Sequence, residues 1–164
     1  MMRLLLDTHV FLWWFLTPDR LSDRARLLLQ DPDNELLVSA ASSLEIAIKS
    51  GLKKLELPEP PARYVTSRLE AKGLSPLAVE HAHALRLAEL PLHHRDPFDR
   101  LLIAQAQLED ATLVTGDPAF LLYDVDVFWA AAGGLPGAAH DTPLHRRRKK
   151  RAPSRSGARA QKPK

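Results

Sequence analysis

Along the chain, short unbroken apolar runs alternate with longer stretches in which apolar positions recur every three or four residues. Leu4-Leu5-Leu6 is the pattern of a strand covered on both faces and predicts a first strand over residues 3–6. Residues 10–16 are apolar almost all round, Trp13 and Trp14 included. A helix with so little polar surface must be covered on more than one side. Ser22 is placed to cap a helix running to about residue 30, with Ala25, Leu28 and Leu29 inward. Residues 36–39 predict a second buried strand, and residues 41–50 a helix closed by Gly51. Pro58-Glu59-Pro60-Pro61 is a stiff break. A helix over 63–72 follows, with Tyr64, Val65 and Leu69 at core spacing and Gly73 as its stop.

The second half repeats this grammar. Residues 74–77 predict a brief strand, and residues 79–90 an amphipathic helix with Leu85, Leu87 and Ala88 inward, ended by Pro91. Asp96 fits an N-cap, Pro97 the first helical position and Asp99 the third, opening a helix over 97–108. Residues 111–115 read as a strand, Gly116-Asp117-Pro118 as a turn before a short helix to residue 122, and residues 125–129 as the last strand. Strands alternating with helices over short loops imply an α/β fold, a three-layer α/β/α sandwich around a mainly parallel sheet. The expected domain is 1–130.

Composition narrows this little. With 164 residues and 45% hydrophobic content, the chain suits one buried core. The absence of cysteine removes disulfides, thiolate metal sites and cysteine nucleophiles together. The apolar stretch 10–16 is far shorter than the roughly 20 residues that span a bilayer, and Asp7 interrupts any signal-peptide core before it. A cytoplasmic protein without membrane contact is the expectation.

Charge changes the picture more. The net charge of +3 hides two unlike parts: residues 145–164 hold ten Lys or Arg and no acid, which leaves 13 basic against 20 acidic residues in 1–144, a net of −7. Past residue 130 the composition turns to Ala, Gly and Pro, and then to the run His145-Arg146-Arg147-Arg148-Lys149-Lys150-Arg151. A tail over 131–164 cannot bury enough apolar surface to fold alone and is expected to be disordered.

Four acids stand where a parallel sheet would gather them: Asp7 after the first strand, Glu45 on the helix after the second, Asp99 opening a helix, and Asp117 after a later strand. Carboxylates crowded at one site resist joint ionisation, and a hard divalent ion removes the conflict. Mg²⁺ or Mn²⁺ takes oxygen ligands and keeps several waters, so a few carboxylates suffice. The implied chemistry is metal-assisted phosphodiester hydrolysis. Each acid also has a plainer role. Asp99 and Asp117 suit helix caps, and Glu45 and Lys49, four apart, suit a surface pair. Asp7 has no capping partner that the sequence makes obvious.

The stretches LLLDTHVFLWW, SAASSLEIAIKSGLKKL, HRDPFDRLLIAQA and LVTGDPAF together resemble the PIN-domain nucleases, and most closely the VapC toxins of bacterial toxin-antitoxin pairs. They cover nearly all of residues 3–129. The resemblance implies a Mg²⁺- or Mn²⁺-dependent endoribonuclease, inhibited by an antitoxin protein that covers the acidic pocket. It implies metal-binding and catalytic roles for Asp7, Glu45 and Asp99, with Asp117 as the more variable fourth. Thr8 is expected to orient Asp7 or a metal water, and Asp96 to cap its helix. Relatives often carry tryptophan before the helix glutamate; here Leu44 stands there. Asp7-Thr8-His9 with Gly116-Asp117 also echoes the calcineurin-like phosphoesterases, but the single asparagine, Asn34, is followed by Glu35 rather than the histidine that family needs.

The remaining expectations concern partners. Histidines 81, 83, 93 and 94 are read as solvated or packed, with His9 beside Asp7 a candidate for substrate contact. Apolar surface from Trp13, Trp14, Leu52 and Leu55 suits an antitoxin helix or a second copy of the chain. The basic tail is expected to attract RNA or operator DNA without regard to sequence. The reading from another class is a PIN-fold RNA- or protein-binding module without activity, acting through its partner and tail.

Overall fold

The computed structural model describes residues 1–134. The basic run and nearly all of the expected tail lie outside the described residues. Five parallel strands form one sheet: β1 Arg3–Leu6, β2 Glu35–Ser39, β3 Ser75–Leu77, β4 Thr112–Thr115 and β5 Val127–Trp129. Their spatial order is β3-β2-β1-β4-β5. The helices are α1 Thr8–Leu16, α2 Asp23–Gln30, α3 Ala40–Gly51, α4 Pro61–Lys72, α5 His81–Arg86 and α6 Pro97–Leu108.

The strand β1 explains the two outer layers. Successive side chains of a strand point to opposite faces, so Leu4 and Leu6 enter one core with Phe11, Leu29, Ile46 and Tyr64. Leu5 enters the other with Leu102, Ile103, Leu113 and Phe120. All three leucines are fully buried. The sandwich expected from the apolar pattern is therefore present, and every strand pairing is parallel.

Strand order places the chemistry. The chain runs outward from β1 to β2 and β3, then returns to lay β4 on the other side of β1. Loops leaving the carboxyl ends of β1 and β4 thus diverge to opposite sides and leave a crevice, the usual ligand position in open α/β sheets. Asp7 follows β1 directly, and Asp117 lies two residues past β4.

Several expectations need correction. The first helix begins at Thr8, and Asp7 is its N-cap, accepting from the His9 N–H at 3.2 Å; the acid does have a capping partner. Residues 79–90 are not one helix: α5 gives way to a 3-10 turn, Leu87–Glu89. Buried Arg100 donates to the carbonyls of Leu87, Leu90 and Pro91 at 2.7, 3.2 and 2.7 Å, and the Leu87 carbonyl also accepts from the Leu90 N–H at 3.3 Å. The face of α5 differs as well. Leu85 is 72% exposed, whereas His83 is buried, its Nδ1 accepting from the Glu80 N–H and its Nε2 meeting Glu109 Oε1 at 3.2 Å. The final strand starts at Val127 rather than at residue 125, and residues 118–122 form a 3-10 turn.

Candidate metal centre

The site is assembled from four elements. Asp7 leaves β1 almost wholly buried, with one oxygen on the His9 N–H and the other, Oδ2, accepting from the Thr115 hydroxyl at 2.7 Å. Thr115 ends β4 and also accepts from the Asp117 N–H at 3.0 Å. One hydroxyl therefore spans β1 and the loop after β4. Thr8, expected to orient Asp7, instead donates to Ser42 Oγ at 2.9 Å. That bond ties the first turn of α1 to α3, one turn before Glu45.

Glu45 is buried, and its Oε1 pairs with Lys49 four residues on. The sequence offered this as a surface pair; only the lysine end reaches water. The other oxygen, Oε2, is buried without a hydrogen-bond partner, an expensive state for a carboxylate. Asp96 caps α6, its Oδ1 accepting from the Phe98 N–H at 2.8 Å. Asp99 lies one turn into that helix and is buried. Asp117 caps the 3-10 turn through Ala119 N–H at 2.8 Å and keeps 41% of its side chain exposed.

Several of these acids bear on Asp99 electrostatically. The Asp99 carboxyl is pushed up to about 7, first by burial and then by the negative charges of Asp7 and Asp96; His94 pulls the other way and Glu45 adds to the rise. Burial alone would lower the Lys49 ammonium, but its hydrogen bond to Glu45 and the charges of Glu45, Asp96 and Asp99 outweigh that and hold it above its usual value. The His9 imidazole is raised chiefly by its hydrogen bond to Asp7.

His94 was read as solvated or packed and proves to be part of the cluster. Its Nε2 lies 3.2 Å from Asp99 Oδ2 and 3.3 Å from Asp117 Oδ2. No spacing rule flags it, since it arrives on a loop. Thr115 was legible in principle, as a hydroxyl ending the strand beside β1. Gly116 has a steric reason: a Cβ there would meet the Trp13 ring at 2.7 Å, so that ring lies against the backbone immediately before Asp117.

The PIN-domain family profile matches residues 4–126, which takes in β1, α3, α6 and β4 and every acid described above. The chain belongs to the PIN-domain family. Among curated relatives, Ribonuclease VapC22 of Mycobacterium tuberculosis is 34% identical over 120 residues, 71% of this chain and 88% of that protein. Ribonuclease VapC16 of the same organism is 51% identical over 61 residues, 37% of this chain and 43% of that protein. Among solved structures, VapBC2 of Rickettsia felis bound to a promoter DNA fragment aligns with a TM-score of 0.60 at 18% identity, covering 79% of this chain and 99% of that one. FitAB bound to a DNA fragment gives 0.55 at 22%, covering 76% and 93%. At those identities the likeness speaks to the PIN fold.

PIN nucleases generally use divalent metals, and among the described residues His94, Asp99 and Asp117 bring ligand atoms within 4.8 Å of one another, close enough to share an ion. Glu45 Oε2 is buried and unpartnered, and Asp99 is pushed up to about 7 by burial and by neighbours of its own sign. Lys49 is the one ammonium paired into the cluster among the described residues. Against that one ammonium stand the carboxylates of Asp7, Glu45, Asp99 and Asp117. Its donors are predominantly carboxylate oxygens, the ligand class of hard ions.

Proposed function

We propose that this chain is a metal-dependent endoribonuclease toxin of the VapC kind, which hydrolyses RNA phosphodiester bonds in the crevice between β1 and β4. The observation that carries this reading is the convergence of Asp7, Glu45 and Asp99 at the sheet's switch point, with an orphaned buried carboxylate oxygen on Glu45. The ribonuclease names of the curated relatives support RNA as the substrate.

Asp7, Glu45 and Asp99 would hold Mg²⁺ or Mn²⁺, with Asp117 at the edge and Asp96 as the cap that orients Asp99's helix. The ion supplies activation of an attacking water and neutralisation of charge building on the phosphate. The protein's own part is to fix the acids beforehand. Thr115 and the His9 N–H hold both oxygens of Asp7, Lys49 holds one oxygen of Glu45, and the cap at Asp96 sets the first turn of α6. Such preorganisation keeps the reacting groups in place without reorganisation during the reaction.

The partner carried over from VapC kinship is an antitoxin protein. VapBC2 and FitAB, whose fold this chain shares, were each solved on DNA. No helix among the described residues is long and apolar enough to cross a membrane, and the cytoplasm is the proposed place of action. We assign residues 1–130 to the nuclease unit.

The test uses the purified full chain with structured RNA and Mg²⁺ or Mn²⁺, beside Asp7→Asn and Asp99→Asn. Cleavage abolished by EDTA and by each substitution supports the reading. Cleavage that survives both substitutions refutes this site, and RNA left intact with either ion favours an inactive binding module on the same fold.

A further inference from the structure

The ring of His94 bridges two acids delivered by different elements, Asp99 from α6 and Asp117 from the loop after β4. On the opposite side its Nδ1 accepts from the Asp96 backbone N–H at 3.1 Å. A ring nitrogen that accepts carries no hydrogen, so the ring hydrogen sits on Nε2 and is offered to Asp117 Oδ2, with Asp99 Oδ2 3.2 Å from the same nitrogen. The ring is held in that pose from several directions. It packs on Phe120 with centroids 5.9 Å apart, and the His94 backbone N–H donates to the Tyr123 hydroxyl at 2.7 Å. Arg100 clips the chain just upstream through the Leu87, Leu90 and Pro91 carbonyls.

A histidine that ligates a metal through Nε2 presents a lone pair there and carries its hydrogen on Nδ1. In this site that hydrogen would face the Asp96 N–H head on. Asp117 is oriented from both ends, Oδ1 accepting from the Ala119 N–H and Oδ2 meeting His94 Nε2. Resting on the metal-ribonuclease reading, we propose that His94 is a positioning residue and not a metal ligand: a fixed Nε2–H donor that clamps Asp117 to Asp99 and so shapes the outer rim of the ion site.

The experiment is an ¹⁵N-histidine NMR spectrum of the full chain, metal-free and with Mg²⁺, in which His94 is assigned by its loss in His94→Gln. Alongside it, Mn²⁺ affinity is measured by calorimetry for the parent, His94→Gln and His94→Ala. We expect the hydrogen on Nε2 in both spectra, affinity kept near the parent's in His94→Gln, whose amide N–H restores a donor, and a loss of roughly tenfold in His94→Ala, as for other outer-shell partners of metal sites. A hydrogen on Nδ1, or loss of the Nε2 hydrogen when Mg²⁺ is added, would make His94 a ligand and overturn the proposal. So would parent-like Mn²⁺ affinity in His94→Ala. A parent chain that binds no Mn²⁺ would instead sink the metal-ribonuclease reading, and the tautomer in the metal-free spectrum would still decide whether the donor clamp exists.

Discussion

The Thr115 hydroxyl donates to Asp7 Oδ2 at 2.7 Å, across the boundary between the two central strands at which the chain changes direction. Both residues are buried, so the carboxylate depends on this donor where water does not reach. Thr115→Val keeps the shape of the side chain but leaves a buried oxygen unsatisfied, which costs about 1–3 kcal/mol. Urea unfolding in EDTA should report that loss, with RNA cleavage reduced as Asp7 loses its orientation. Thr115→Ser, which restores the hydroxyl, should recover most of both. Equal behaviour of the valine and serine variants would mean that the bond does not hold Asp7.

Asp99 sets a pH dependence of stability with a definite sign. Its folded value is about 7, against roughly 3.9 in an unfolded chain. Between these values the folded protein keeps a proton that the unfolded chain has released, so this contribution to stability is present near pH 4, is lost as pH rises through 7, and then levels off. Unfolding of the metal-free parent measured against Asp99→Asn at pH 5, 6, 7 and 8 should show the parent losing ground from pH 5 to 7 and little further by pH 8. Added Mg²⁺ should reverse the trend at pH 8, where the ionised carboxylate has gained a cation. A difference between the two proteins that grows in the parent's favour with pH would contradict the crowding described for the site.

Lys49 is both a support and a competitor. It neutralises buried Glu45, yet its charge occupies the field that would draw a divalent ion. Breaking a fully buried ion pair costs 3–5 kcal/mol; because Lys49 is partly solvated, Lys49→Met should cost less, roughly 1–3 kcal/mol in EDTA. Mn²⁺ affinity, read by calorimetry, should move in the opposite direction and tighten. Weaker Mn²⁺ binding in this variant would place Lys49 in support of the ion instead of in competition with it.

What the sequence made legible follows from how far each signal reaches. The leucine run of β1, the Ser22 cap, and the Asp96-Pro97 start of α6 are local patterns, and each element lies within a residue or two of its expected place. Asp7, Asp99 and Asp117 were legible because each sits at or near a strand or helix terminus, and termini are what periodicity locates; Glu45, in the middle of α3, stood out only beside the other three. The 3-10 turn at residues 87–89 was not, and its Leu87 carbonyl is also held by Arg100, thirteen residues on, a contact no local pattern announces. His94 was hidden for a similar reason. Its loop has no period, and its role depends on Asp117, twenty-three residues away, meeting it in space. Local grammar located the carboxylates; the groups that orient them are set by tertiary contact.

The ten cations of residues 145–164 lie outside the described residues, and the prediction for them rests on charge alone. Removing them leaves a chain whose remaining 144 residues carry a net of −7, a body that repels phosphate except where an ion fills the acidic pocket. Cations that neutralise phosphates release counterions, and for single strands each such contact steepens the dependence of log affinity on log salt by about 0.7. Truncation after residue 144, made in an Asp99→Asn background so that RNA stays intact, should weaken RNA binding. If as few as three of the ten cations contact RNA, the salt slope should fall by about 2. Fluorescence anisotropy from 50 to 300 mM KCl reads both quantities. The deletion should leave cleavage of saturating RNA by the otherwise native chain unchanged, since every acid of the site precedes it. Affinity and slope that survive the truncation would assign RNA capture to the folded body and remove the tail from the function.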